Sequence, residues 1–472
     1  MKNTQIKSLL PVLILAGASS NASAAGFAIA EQSVKGLGSA FSGGAASADD
    51  ASTVWFNPAG MTQFSGTHLS SALHIILPDG EFKNNGSTTN PRLGGAALSG
   101  SDNNSAKDAL VPNFYITHSL NDRMVVGLGI NVPFGLVTDH DPDFVGRYHA
   151  LRSDVATVNL NPAFAYKVNN KFSVGFGVNV QYVDVKLSNA IDMTGTCLSL
   201  AGAGRILAAN CTATGLANPA NIGTVGTDSQ VRLEGDDWSW GYNFGFTYEP
   251  TPDTRLGVHY RSKVSHDVTG AAEFFHPHPG AAAFASGLAA AGQPLLSNQT
   301  LDASLSLPES VSISAFHQVN PQWSVQTDLS WTKWRNFEEL RISFPSRPDA
   351  VTPEQWENSL RYAVGTTYKV NNKFSLRGGL AFEQTPIPSA ALRTPRIADE
   401  DRFWVALGGS YNFTDNMSID LGYTHIFVNT PEIDYTTGPH AAPEAGALPE
   451  SILVGKYDAS VDIVSIQLNV AF

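Results

Sequence analysis

One pattern along this chain, alternation with a period of two, leaves few folds open to it. From Phe172 to Tyr182 the even positions are Phe172, Val174, Phe176, Val178, Val180 and Tyr182, with Ser173, Gly175, Gly177, Asn179 and Gln181 between them. A β-strand turns successive side chains to opposite faces, so one face of this segment meets an apolar medium and the other something polar and cramped. The same reading applies to Trp238, Trp240, Tyr242, Phe244, Phe246 and Tyr248 against Ser239, Gly241, Asn243, Gly245 and Thr247. At the C-terminus Val464, Ile466, Leu468, Val470 and Phe472 alternate with Ser465, Gln467, Asn469 and Ala471. A final amphipathic strand closing on an aromatic resembles the signal read by barrel-assembly machinery.

Followed through the chain, the alternation predicts fourteen strands, over 67–76, 110–119, 123–134, 153–166, 172–186, 229–249, 254–265, 300–318, 322–334, 359–368, 373–383, 401–413, 417–428 and 457–472. Tight connections such as Leu120-Asn121-Asp122, Val168-Asn169-Asn170, Val370-Asn371-Asn372 and Thr414-Asp415-Asn416 alternate with long polar ones around 77–109, 187–228, 266–299, 335–358, 384–400 and 429–456. An even number of strands with the apolar face outward is what closure in hydrocarbon demands, because lipid tolerates no unpaired edge. Short turns on one side and long loops on the other give the same answer. The fold class expected is all-β, a 14-stranded antiparallel transmembrane barrel over 67–472. A soluble β-sandwich would show more evenly sized loops.

The first 24 residues set the compartment. Lys2 and Lys7 precede a short apolar run from Leu9 to Gly17, and Ala22-Ser23-Ala24 offers a small-residue cleavage site. This reads as a secretory signal peptide, too short for a membrane-spanning helix. Its removal takes away two lysines and no acids, so a net charge of −13 becomes −15. An acidic chain without a basic run argues against nucleic acid as a partner. Mean hydropathy is −0.08, and no later stretch reaches 18 consecutive apolar residues. Such an average fits a barrel whose two faces cancel. Cys197 and Cys211, the only cysteines, lie 14 residues apart within one loop and are expected to form a disulfide in an oxidising compartment.

Residues 25–66 lack sustained alternation and are rich in Gly, Ala and Ser, yet they carry Phe27, Phe41, Trp55, Phe56, Met61 and Phe64. Disordered tails are depleted in such residues, so this segment is expected to fold inside the barrel as a plug. Ala25-Gly26-Phe27, Gly36-Leu37-Gly38, Ala48-Asp49-Asp50-Ala51 and Asn57-Pro58-Ala59 together resemble the N-terminal hatch of the FadL family of hydrophobic-compound transporters. Further similarities include Asn159-Leu160-Asn161-Pro162, Tyr260-Arg261-Ser262, Leu307-Pro308-Glu309, Asn320-Pro321-Gln322-Trp323 and Asp401-Arg402-Phe403-Trp404. The resemblance implies an internal hatch, an outer hydrophobic groove between long loops, a deeper pocket and sideways release beside a kinked third strand. It also implies that Asn57-Pro58-Ala59 lies near that kink. At two positions where fatty-acid members carry basic pocket residues, a rough alignment places Asn189 and Thr352 here. Aromatic and other neutral hydrophobes therefore stay open as substrates.

The third strand ends in Asn131-Val132-Pro133-Phe134-Gly135. Proline has no N–H for the ladder and a closed barrel no edge to hide it on, so either the wall breaks at Pro133 and Gly135 or Pro133 begins the loop above the membrane. Pro308 poses the same question in strand eight. The expected ligand-binding set is Phe27, Phe56, Asn57, Pro58 and Ala59 of the hatch, Phe134 at the break, and the inward groups His259, Arg261 and Arg361. Basic lumen residues, which also include Arg255, Lys263 and Arg377, can receive a carboxylate headgroup. Pairing with Asp49, Asp50, Asp328 or Asp420 is the preferred account of them. Leu198, Leu200, Leu207, Phe274, Phe275 and Phe284 are candidates for an outer capture surface. His276-Pro277-His278 lacks a third metal ligand, no Ser, His or Asp sits in a catalytic motif, and no cofactor is expected. The chain reads as a monomeric passive transporter of hydrophobic small molecules, set among outer-membrane lipids and lipopolysaccharide. Aromatic-hydrocarbon uptake, lipid export and a non-specific porin are the alternatives.

Overall fold

The computed structural model describes residues 26–436 and 451–472. The expected signal peptide and part of the last long loop lie outside the described residues. Within them the chain forms a closed barrel of fourteen antiparallel staves. These are β1 (Thr67–Asn84), β2 (Ala109–Asn121), β3 (Met124–Asn131 and Gly135–Asp139), β4 (Arg152–Asn169), β5 (Phe172–Ile191), β6 (Ser229–Thr251) and β7 (Thr254–Arg261 and Val264–Phe275). They continue as β8 (Gln299–Leu307 and Ser310–Gln318), β9 (Trp323–Thr332), β10 (Ser359–Lys369), β11 (Phe374–Glu383), β12 (Arg402–Thr414), β13 (Met417–Val428) and β14 (Ser451–Ala471). The ring closes where β1 pairs with β14, from His68 opposite Ala471 to Asn84 opposite Gly455.

Each stave has the two faces its alternation predicts. In β6, Trp240 is 69 % exposed on the lipid side, whereas Asn243 and Thr247 are buried toward the lumen. Several staves outrun their apolar segments. β1 continues to Asn84, β5 to Ile191 and the second half of β7 to Phe275, beyond the expected ends at 76, 186 and 265. Ladder hydrogen bonding extends them past the level at which lipid enforces alternation. The long loops hold α4 (Met193–Gly202), α5 (Ala208–Ala213) and α6 (Pro279–Ala290), following three one-turn helices inside the barrel. A disulfide joins Cys197 in α4 to Cys211 in α5, with Cα atoms 5.8 Å apart.

The N-terminal segment occupies the lumen as α1 (Val34–Leu37), α2 (Gly44–Ser47), α3 (Thr53–Phe56) and a 3-10 turn over Pro58–Gln63. Its backbone lies hard against the wall, because the staves present glycines to it. A Cβ on Gly257 would run into the Ala45 carbonyl, and one on Gly379 into the backbone of Ser39. Polar contacts add to this fit, since Val34 N–H donates to the Gln467 side chain at 2.9 Å. Leu37, Val34 and Met61 are fully buried between segment and wall.

Candidate functional site at a break in the wall

β3 does not end at Pro133. Its ladder with β4 runs from Met124 to Asn131, skips Val132, Pro133 and Phe134, and resumes from Gly135 to Asp139. The reading in which Pro133 merely opens a loop is therefore corrected, since the proline interrupts a stave that continues. The other edge of β3 behaves differently. β2 pairs with it only from Phe114 opposite Ile130 down to Asn121 opposite Met124, while Ala109 to Asn113 pair with β1 alone. Higher up, a single bridge between Ala106 and Thr138 brings the two chains together again. A window is left in the wall between β2 and β3. Ser119 N–H donates to Gly66 on the β1 side, so by strand alternation Pro112 turns toward the window. It carries no N–H to leave unpaired there. A comparable interruption separates Leu307 from Ser310 around Pro308 in β8, where Lys333 N–H caps the Glu309 carbonyl at 2.9 Å.

The hatch covers the window from inside. Ile29 N–H donates to the Pro133 carbonyl at 2.9 Å and Gly135 N–H to the Phe27 carbonyl at 3.0 Å, with Ala28 bridged to Phe134. Backbone groups that hydrocarbon would penalise by several kcal/mol each are thereby satisfied. Residues 27–32 perform this role. Asn57-Pro58-Ala59, placed near the kink by resemblance, sits elsewhere: Asn57 Nδ2 donates to the carbonyls of Ala45, Phe246 and Val258 at 2.7, 3.1 and 3.4 Å, against β6 and β7.

Behind the window lies an apolar cavity lined by Phe27, Leu136, Val155, Val185, Val268, Leu305, Phe337 and Ile342. Phe27 stands among the rings of Phe134, Trp334, Phe337 and Trp356, at centroid separations of 6.0, 5.0, 5.8 and 6.0 Å. The polar residues lining the cavity are Ser153, Glu234, Glu354 and Arg396, of which Ser153 and Glu354 lie beside Arg396. Arg396 Nη1 donates to the Arg152 carbonyl at 3.1 Å and to Ser153 Oγ at 3.0 Å. Burial pulls this guanidinium down to about 10, while Tyr435 and Glu354 raise it. Burial pushes the Glu354 carboxyl up to about 8, against the Trp356 Nε1–H that donates to it at 3.0 Å and the nearby Arg396. The arrangement can hold an apolar body against aromatic rings and a polar head beside a cation.

Of the nine residues expected to bind ligand, the structure brings only Phe27 and Phe134 together here. Arg261 donates to Asn179 at 2.6 Å and to the Trp55 carbonyl at 2.8 Å, with its guanidinium 3.3 Å from the Trp55 ring centre. Arg361 donates to the Ala40 carbonyl at 2.7 Å, and Arg255 to those of Ala46 and Ser47 at 3.0 and 2.9 Å. These arginines fasten the hatch through its carbonyls; Arg255 also pairs with the Glu249 carboxylate at 3.5 Å, as expected of the lumen cations, whereas Arg261 and Arg361 meet none of the named acids. Arg377 alone meets one of the named acids, Asp420, at 3.8 Å. Asp50 instead accepts from Ser52 and Gln467, and Asp328 from Ser312, Ser314 and Ser330. His259 faces Asn243 in a buried amide network, and Phe56 packs on Phe41 with centroids 6.1 Å apart. His276 contacts Ser229 Oγ and the Leu296 carbonyl, and His278 caps α6. Among the described residues no cluster suited to a metal occurs.

Sequence reasoning missed Arg396, Glu354, Trp334, Phe337 and Trp356, all delivered by the outer loops. The density of aromatic residues from Trp334 to Trp356, unusual for a polar loop, is the one signal that points to them. Phe274, Phe284 and Leu200 of the expected capture surface are packed in a loop cluster around the disulfide, while Leu207 is 75 % exposed.

Residues 15–472 match the family model described as outer membrane protein transport protein (OMPP1/FadL/TodX). A protein of Escherichia coli O6:H1 named long-chain fatty acid transport protein is 32 % identical over 439 residues, covering 92 % of this chain and 94 % of the relative. A Pseudomonas aeruginosa FadL homologue of known structure superposes with a TM-score of 0.81 at 24 % identity, over 95 % of this chain and all of its own. The Pseudomonas putida toluene transporter TodX superposes at 0.59 with 18 % identity, over 89 % of this chain and 94 % of its own.

Proposed function

This chain belongs to the outer membrane protein transport family (OMPP1/FadL/TodX), and we propose that it releases its cargo sideways through the window between β2 and β3. It is a β-barrel of the Gram-negative outer membrane and a transporter of hydrophobic small molecules. The observation that carries the lateral route is that the apolar cavity reaches Phe27 and Leu136, beside the hatch segment whose isolated bridge to Phe134 covers the window. Cargo settles against Phe27 and Phe134, displaces residues 27–31 and passes into the bilayer down its own partition gradient. The closed ring lets a single chain work as a monomer among outer-membrane lipids and lipopolysaccharide. Long-chain carboxylic acids are the cargo we favour, because Arg396 lines the apolar cavity and can take a carboxylate through charge-assisted hydrogen bonds. Four rings around Phe27 support a second reading, a neutral aromatic cargo that leaves Arg396 without a headgroup.

The test is a Pro133→Val, Gly135→Phe double variant. A Cβ at Gly135 already approaches Ile29 Cδ1 at 2.8 Å, so a phenylalanine there obstructs both hatch and window. Uptake of a fluorescent fatty acid should fall while heat-modifiable migration stays normal. Unchanged uptake, with the β3 pairing restored, would sink lateral release in favour of an axial channel.

A further inference from the structure

Gln32 is fully buried, and its carboxamide uses every hydrogen-bonding position it has. Nε2 donates to the Ile29 carbonyl at 3.0 Å and to the Val132 carbonyl at 2.9 Å. Oε1 accepts from Tyr115 Oη at 3.1 Å and from Asn131 Nδ2 at 2.7 Å. Tyr115 belongs to β2, whereas Asn131 and Val132 belong to β3 at the point where its ladder breaks. One side chain of the hatch therefore spans the two staves that part company at the window. The residues on either side of it differ in how they are held. From Val34 onward the hatch is pressed against wall glycines, as at Gly257 and Gly379. From Phe27 to Ile29 its backbone is attached to the wall by the short bridge to Pro133, Phe134 and Gly135, with the Ile29 side chain against Gly135 and the Gly26 N–H ahead of it donating to Asp399 Oδ2 at 2.9 Å.

We infer that Gln32 is a latch, a positioning residue that ties the movable residues 27–31 to both rims of the window and sets how readily cargo leaves. This inference rests on the lateral-release reading. The fixed part of the hatch provides the anchor, and a carboxamide gives two donors and two acceptances in one plane, which neither a hydroxyl nor a carboxylate supplies. The neighbouring Asn113 Nδ2 donates to the Glu31 carbonyl at 2.7 Å, and Asn159 donates to Asn131 at 2.9 Å, so the latch joins an amide network already fixed to β2 and β4.

Gln32→Met keeps the length and bulk of the side chain and removes all four bonds. In the full-length protein in lipid nanodiscs, the amides of Ile29 and Gly135 should then exchange with deuterium about tenfold faster, the equivalent of one or two net hydrogen bonds, with β14 unchanged. Transfer of a fluorescent fatty acid to acceptor vesicles should accelerate by a similar factor. Unchanged exchange at Ile29 and Gly135 would overturn the latch. Faster exchange with unchanged or slower transfer would overturn its link to release. The Gly135→Phe variant separates the two ideas: if it transports normally, lateral release itself has failed, whatever Gln32 does to exchange.

Discussion

The amide of Gly135, in the wall, donates to the carbonyl of Phe27, in the hatch, at 3.0 Å. That bond closes the strand interruption made by Pro133 and places the Phe27 ring in the cavity behind it. Covering the window and lining the pocket are thus tasks of one short segment, so a molecule that pushes on Phe27 pushes on the cover.

Arg396 is the cation lining the cavity, and Arg396→Met keeps the stem while removing the charge. Affinity for a long-chain carboxylate should drop by roughly 10- to 100-fold, the range expected for a hydrogen bond to a charged group. Affinity for a neutral alkyl or aromatic probe should hold. Displacement of a fluorescent reporter from purified protein measures both, and equal losses for the two ligand classes would remove Arg396 from headgroup binding.

Glu354 gives the cavity a pH dependence. Burial holds its carboxyl at about 8, so below that value it is neutral and leaves Arg396 to the ligand. Above it the carboxylate forms, draws on Arg396 and repels a second carboxylate. Binding of a fatty acid should therefore weaken as pH rises through about 8, with no matching change for a neutral probe. Titration of Glu354→Gln should give a flat profile, and a slope that survives this substitution would place the titrating group elsewhere.

The hatch fits a wall that has no side chains to spare. Gly257→Val would drive its Cβ into the Ala45 carbonyl, and such overpacking costs about 1–3 kcal/mol. The variant should lose its heat-modifiable band at a lower temperature. Deletion of residues 27–64 should go further and raise single-channel conductance in planar bilayers sharply. An intact protein that already conducts like an open porin would mean that the hatch is no barrier.

The Cys197–Cys211 bridge closes the loop that carries α4 and α5 over the barrel mouth. Intact-mass measurement without reductant should find neither thiol free to alkylate. Replacing both with serine should speed proteolysis within 192–228 and leave the staves protected, because cross-linking a loop of about 15 residues contributes on the order of 3 kcal/mol. Equal cleavage rates would show that the helices hold without it.

What the chain alone determined about this protein is whatever repeats residue by residue. Lipid and lumen act on every second side chain of a stave, so Trp238 to Tyr248 or Val464 to Phe472 reveal a strand and its two faces without reference to any neighbour. The number of staves and their antiparallel order follow from the same local signals, while the aromatic and apolar residues of 25–66, which lack the alternation, mark a folded segment in the lumen. Tertiary structure decided everything that depends on how distant parts meet. Arg396 is one arginine in a polar loop, and it lines a cavity only because the path of that loop carries it to Ser153. Arg261 and Arg361 point inward as their strands require, yet the stagger of the staves sets their height and delivers them to hatch carbonyls. Pro133 marks a break in sequence, but whether Asn57 or Phe27 covers it depends on where the hatch lies along the barrel axis. Those outcomes are sums over register, loop path and packing across the whole chain, and no periodicity within one segment encodes such a sum.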